Sequence, residues 1–147
     1  MSNEIALMRE IAKLQSQIDA LRTIEVGGVW QSYTPTWTAT TTNPSIGDGT
    51  LSGRYTVIGK LVVLNIRMVA GSTTTFGSGE WNFSLPIAAS SAYGAFSAKI
   101  LDFGIAWYNS VGKFASTTSI YIPPVSATYP MTWGVNDLLE LSMNYEV

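Results

Sequence analysis

Over the first 25 residues apolar side chains recur alternately four and three apart, at Leu7, Ile11, Leu14, Ile18 and Leu21, and after Gly27-Gly28 that period disappears. The spacing predicts a helix with one narrow apolar stripe. Written as heptads, Ile11 and Ile18 fall at a, Leu7, Leu14 and Leu21 at d, and Glu4 and Glu25 close the stripe at its ends. A helix of this length cannot bury such a stripe against itself, so it needs copies of itself or a partner. Leu7, Ile11, Leu14, Ile18 and Leu21 are therefore the expected oligomerisation residues. The alternative is a helix lying on its own downstream domain. The seam covers barely three heptads, so that domain is expected to help hold the oligomer together.

Beyond the helix the pattern becomes that of strands. Two glycines in Val26-Gly27-Gly28-Val29 should end the helix. Trp30 to Thr38 is aromatic and threonine-rich, and Pro35 makes it an edge or entry strand because proline cannot donate to a central ladder. Leu51 to Ile58 and Leu61 to Ala70 flank Gly59-Lys60, a hairpin turn. In the second of these, Val62, Leu64, Ile66, Met68 and Ala70 alternate with Val63, Asn65, Arg67 and Val69, so one face is core and the Asn65–Arg67 face meets solvent or another subunit. Trp81-Asn82-Phe83-Ser84-Leu85 repeats the alternation and stops at Pro86; Tyr93 to Trp107 and Lys113 to Ile122 each read as one or two strands; Leu139 to Val147 alternates again. The division is thus a helix over 1–26, a linker and entry strand over 27–36, and a β head over 37–147. About eight short antiparallel strands without intervening helices predict a mainly β chain with a jelly-roll-like sandwich.

Composition narrows the chemistry. Charged residues are 12% of the chain and the net charge is −2, with no run of Lys or Arg, which argues against nucleic acid because phosphate neutralisation needs clustered cations. No stretch is long and apolar enough for a membrane span, and no secretory leader is evident, so membrane insertion is not expected. There is no cysteine and no histidine, which removes disulfides, thiolate nucleophiles, cysteine zinc sites and the usual general base. No cofactor is expected.

The run Trp30 to Thr38, the run Gly53-Arg54-Tyr55-Thr56-Val57-Ile58-Gly59-Lys60-Leu61-Val62, and the small-residue loop before the Trp81-x-Phe83-x-Leu85-Pro86 strand together resemble the carboxy-terminal β domains of bacteriophage tail fibre, minor tail and other fibre-like virion proteins. The resemblance covers most of residues 30 to 147. It implies a parallel homotrimer made in the host cytoplasm and carried on the virion, on its tail or baseplate. The helix would dock on other virion proteins and the head would bind a host-surface glycan. Ile at a with Leu at d favours two strands in an isolated parallel coil, but over so few heptads the head interface should decide, and three is expected. A purely structural role as a head fibre, cap or decoration protein is the alternative, with a carbohydrate-active enzyme third.

The acids after the helix are Asp48, Glu80, Asp102, Asp137, Glu140 and Glu146. A glycosidase needs two of them facing across a groove, and turn or surface roles are the plainer expectation, so the chain is read as non-enzymatic. Asp48 and Asp102 are acids that a Ca²⁺ site could use, but no spaced cluster supports one. Saccharides present apolar C–H faces and hydroxyl edges, so their sites pair exposed rings with amides and carboxylates. Trp81, Phe83 and Tyr145 belong to alternating strands and should be core, with Trp30 and Trp37 at the helix–head junction. The candidate receptor residues near loops are Trp107, Tyr108 and Asn109; Tyr129; and Trp133, Asn136 and Asp137.

Overall fold

The computed structural model describes residues 1–23 and 28–147. Helix α1 spans Ser2–Thr23. The expected helix stop at Val26-Gly27 and the outer heptad residue Glu25 lie outside the described residues, as does the side chain of Leu21. Every residue from Met1 to Ala20 is exposed, so this part of the helix does not pack against the chain's own sheet. Leu7, Ile11, Leu14 and Ile18 keep 61, 55, 52 and 43% of their surface exposed.

Among the described residues nine strands follow: β1 Gln31–Tyr33, β2 Trp37–Ala39, β3 Thr50–Ile58, β4 Leu61–Val69, β5 Trp81–Ser84, β6 Ala95–Asp102, β7 Ala106–Ser116, β8 Ser119–Tyr121 and β9 Leu138–Glu146. They form one sheet in the order β1-β3-β4-β9-β6-β7-β8-β5-β2, with antiparallel pairing throughout. The expected jelly-roll sandwich has two facing sheets, whereas here a single sheet curls on itself. The physical reason is the segment 31–39. Its first part pairs with β3 and its last part with β5, so one short stretch supplies both edges of the sheet. Pro35, buried at the bend between the two parts, cannot donate to a ladder and suits the place where pairing passes from one neighbour to the other. Tyr33 reaches across the seam, its hydroxyl donating to the Ser84 carbonyl at 3.4 Å, while the Thr36 amide donates to Ser84 Oγ at 2.8 Å. A short segment that serves both edges in this way covers part of each, and exposed edges are what invite aggregation.

The inner face holds the core in register. Leu64 stands opposite Met143, Ile66 opposite Leu141, and Met68 opposite Leu139, and all are buried. Ala98 and Ile100 continue two of these rows on β6. Two inner positions are glycines that make room for rings: Gly53 faces Tyr33, and Gly112 faces Phe96. On the far side Trp37, Trp81, Phe83 and Trp133 pack together, with Trp37 edge-on to Trp81 at 4.8 Å and stacked on Phe83 at 6.3 Å. Trp81, Phe83 and Tyr145 are core as the alternation indicates. Trp37 is not a helix–head junction residue: its place opposite Phe83 puts it in the middle of the aromatic cluster. Trp30 is exposed and lies under the Arg54 guanidinium at 4.6 Å.

Candidate functional site

The outer face of the sheet carries two polar rows fixed by strand register. One runs Ser52, Arg67, Glu140, Lys99, Asn109 across β3, β4, β9, β6 and β7. The adjacent row runs Ser32, Arg54, Asn65, Ser142, Ser97 across β1, β3, β4, β9 and β6. Residues directly opposite on neighbouring strands hold their Cβ atoms about 5 Å apart, close enough to interact. Together the rows line an open depression of about 630 Å³. Inside it Glu140 accepts from Arg67 Nε at 2.9 Å and pairs with Lys99 Nζ at 3.1 Å.

A second shallow depression of about 600 Å³ adjoins the first, and Ser97 and Asn109 line both. Its walls are Trp107, Tyr108, Tyr129 and the prolines 123, 124 and 130. Strand alternation on β7 turns Trp107, Asn109 and Val111 outward and leaves Tyr108, Ser110 and Gly112 less exposed. Trp107 is 58% exposed and Tyr129 52%. Lys99 links the halves, because its ammonium pairs with Glu140 and also lies 4.4 Å from the centre of the Trp107 ring.

Four of the seven candidate receptor residues, Trp107, Tyr108, Asn109 and Tyr129, thus come together around one concavity. The other three do not join them. Trp133 is 5% exposed and packs 4.8 Å from Trp81, so its ring is core and offers no face to a ligand. Asp137 is 4% exposed, and its two oxygens accept the Phe103 amide at 2.8 Å and the Gly134 amide at 2.6 Å. It is a loop clamp. Asn136 forms the turn beside it, with φ at +68° and its amide donating to the Ala70 carbonyl, a conformation that asparagine tolerates better than most residues.

The cationic half of the groove escaped sequence reasoning. Arg54, Arg67 and Lys99 lie far apart in the chain, and only register brings them into adjacent rows. The signal was the polar alternation itself, Asn65–Arg67, Ser97–Lys99 and Glu140–Ser142, repeated on three strands.

Asp48, weighed as a Ca²⁺ ligand, is spent on the chain. It accepts from Ser72 Oγ at 2.6 Å and from Thr73 N and Oγ1 at 2.8 Å. These bonds, the Ser72 hydroxyl foremost, hold its carboxyl well below the usual carboxylate range. Among the described residues no group of three or more acids gathers to hold a metal ion.

The chain is 29% identical over 117 residues to the Mu-like prophage FluMu defective tail fiber protein of Haemophilus influenzae. The alignment covers 71% of this chain but only 18% of that protein, so the chain spans less than a fifth of the length of the curated relative it matches. No family model matches the chain. No solved structure matches it either. At a coarse level the likeness supports a phage tail fibre component, in keeping with the amino-terminal helix and the antiparallel β head. Among the described residues no helix is long and apolar enough to cross a membrane.

Proposed function

We propose that the chain is a homotrimeric fibre protein of a phage virion, on the tail or baseplate, docked through α1 to other virion proteins and binding a host-surface saccharide with its β head. The observation that carries the binding role is the shared outer groove, where exposed Trp107 and Tyr129 adjoin a field of hydroxyl, amide and cationic groups. Aromatic rings suit the C–H faces of a sugar and the polar rows suit its hydroxyls. Self-association is supported by the exposed seam of Leu7, Ile11, Leu14 and Ile18, which no described part of the sheet covers; the number three rests on the resemblance to fibre proteins. Three weak sites held in one particle-bound oligomer raise effective concentration, so attachment can be lasting while each site stays weak.

Among the described residues the groove presents one carboxylate, Glu140, already engaged by two cations. That arrangement suits binding without hydrolysis, since glycoside cleavage uses two opposed carboxyl groups. A glycan array probed with the intact oligomer tests the proposal. Saturable binding that Trp107→Ala reduces is the expected result. A blank array with the intact oligomer favours a purely structural virion role. That second reading has an observation of its own, the exposed Phe103, Ile105 and Val135 on neighbouring loops, an apolar tip suited to a protein partner. Shortening of polysaccharide chains on incubation would favour an enzyme.

A further inference from the structure

We infer that the groove takes a negatively charged saccharide, one bearing carboxylate or phosphate groups, with Arg54 as its principal anion contact. The inference rests on the saccharide reading above and adds the sign of the ligand's charge.

Among the described residues three cations, Arg54, Arg67 and Lys99, line the larger depression against one carboxylate, Glu140. The groove therefore carries a local surplus of positive charge on a chain whose net charge is −2. The surplus is not spread evenly. Glu140 sits between Arg67 and Lys99 in a single cross-strand row and pairs with both, so one carboxylate offsets half of their combined charge and engages donors of each. Arg54 stands one row away, opposite Ser32 and Asn65, and among the described residues no carboxylate lies within pairing distance of it. Its guanidinium is held over the Trp30 ring at 4.6 Å. Such stacking fixes the plane of the group while leaving its edge N–H donors for a ligand. A planar fork of donors matches carboxylate or phosphate oxygens in pairs, which a neutral hydroxyl cannot do.

The second half of the groove supplies what a free anion would not need. From Arg54 the rows lead through Asn65, Ser142 and Ser97 to Asn109 and then to Trp107. Five strands are spanned, a reach of about 19 Å at the usual strand spacing. An inorganic anion would fill one end; an acidic oligosaccharide lays its charge at Arg54, its hydroxyls along the serine and asparagine rows, and a ring face near Trp107. Lys99, shared between Glu140 and Trp107, joins the two halves.

The test uses the full-length oligomer on an array of oligosaccharides in matched pairs. Each acidic member carries either a uronate or a sugar phosphate and sits beside its carboxyl-reduced or dephosphorylated counterpart. Acidic members are expected to bind about tenfold or more over their neutral partners at about 50 mM salt, and to lose that advantage at about 500 mM. Arg54→Gln should erase the preference with the oligomer's mass unchanged, Arg54→Lys should keep part of it, and Lys99→Gln should weaken binding without abolishing it. The uronate and phosphate arms tell the two anion sources apart. Equal binding to acidic and neutral members, insensitive to salt and to Arg54→Gln, overturns the charge inference and leaves the saccharide reading standing. A blank array with the unmodified oligomer removes both. Loss of oligomer mass in Arg54→Gln overturns the inference by making the groove a contact between subunits.

Discussion

Asp137 Oδ1 accepts the backbone amide of Phe103 at 2.8 Å, so a buried carboxylate ties the turn between β6 and β7 to the loop that leads into β9. Its other oxygen holds the Gly134 amide at 2.6 Å. The Ala70 amide donates to the Asp137 carbonyl at 2.9 Å, which adds the end of β4 to the same knot. Asp137→Ala strands two amides, and a lost bond to a charged acceptor outweighs one between neutral groups. It is expected to cost about 1–3 kcal/mol in chemical denaturation. Amide exchange at Phe103 and Gly134 should quicken well before the sheet opens. Unchanged exchange at both would show that the clamp is not what orders this end.

Gly53 leaves the space that the Tyr33 ring fills. The two residues are direct partners between β1 and β3, and a Cβ added at Gly53 would collide with the ring. Burial pushes the Tyr33 hydroxyl above its ordinary range, and the same hydroxyl reaches the Ser84 carbonyl on β5. Gly53→Ala should therefore destabilise the head by about 1–3 kcal/mol through overpacking. Tyr33→Phe, which removes one long hydrogen bond, should cost less than about 1 kcal/mol. If the alanine variant is as stable as the parent, Tyr33 does not close the sheet.

The inner face of the sheet was legible from the chain because β4, β5 and β9 alternate apolar and polar residues, and each alternation places its own buried set. The closure was not. A three-residue edge such as β1 has no period to read, and nothing local in Trp30 to Thr42 says that its halves pair with β3 and β5. The groove was legible only in its aromatic part, where Trp107, Tyr108 and Asn109 are neighbours in sequence. Arg54, Arg67 and Lys99 meet through register, a property of pairs of strands. Trp133 misled for a related reason: a ring beside the Gly134–Asp137 turn reads as exposed, yet the loop folds back and buries it against Trp81.

Glu140 is a surface hub of two ion pairs, and such pairs contribute little to stability because water and salt screen them. Glu140→Gln should change the unfolding free energy by less than about 1 kcal/mol. It should also release Arg67 and Lys99, so the acidic oligosaccharides of the array bind more tightly. Weaker binding would mean that Glu140 positions the two cations and does not compete with the ligand.

Asp48 sets an acid limit on the loops it joins. Ser72 and Thr73 stabilise the charged form, so its folded pKa lies below the ordinary value of 3.8. A depressed carboxyl contributes stability that is fully present above that ordinary value and is lost as pH falls below it toward the folded pKa. Urea midpoints measured from pH 7 down to about pH 2.5 should fall on the acid side for the parent. Asp48→Asn should start lower at neutral pH and lose less on acidification. Parallel pH profiles would place the acid sensitivity elsewhere.

The helix offers the sharpest separation between assembly and folding. Leu7, Ile11, Leu14 and Ile18 are exposed along one stripe, and no described part of the sheet covers them. Replacing Ile11 and Leu14 with Glu puts charges at an a and a d position, where a coiled-coil seam excludes them. Native mass measurement at micromolar concentration is expected to give three chains for the parent, as proposed, and to move toward one for the variant. The near-ultraviolet spectrum of the aromatic core should persist, because Trp37, Trp81 and Trp133 pack without the helix. Removal of residues 1 to 25 should do the same and also abolish incorporation into particles. A chain that is already single before any substitution would leave the exposed seam without its expected partner, and the avidity that makes weak heads useful would go with it.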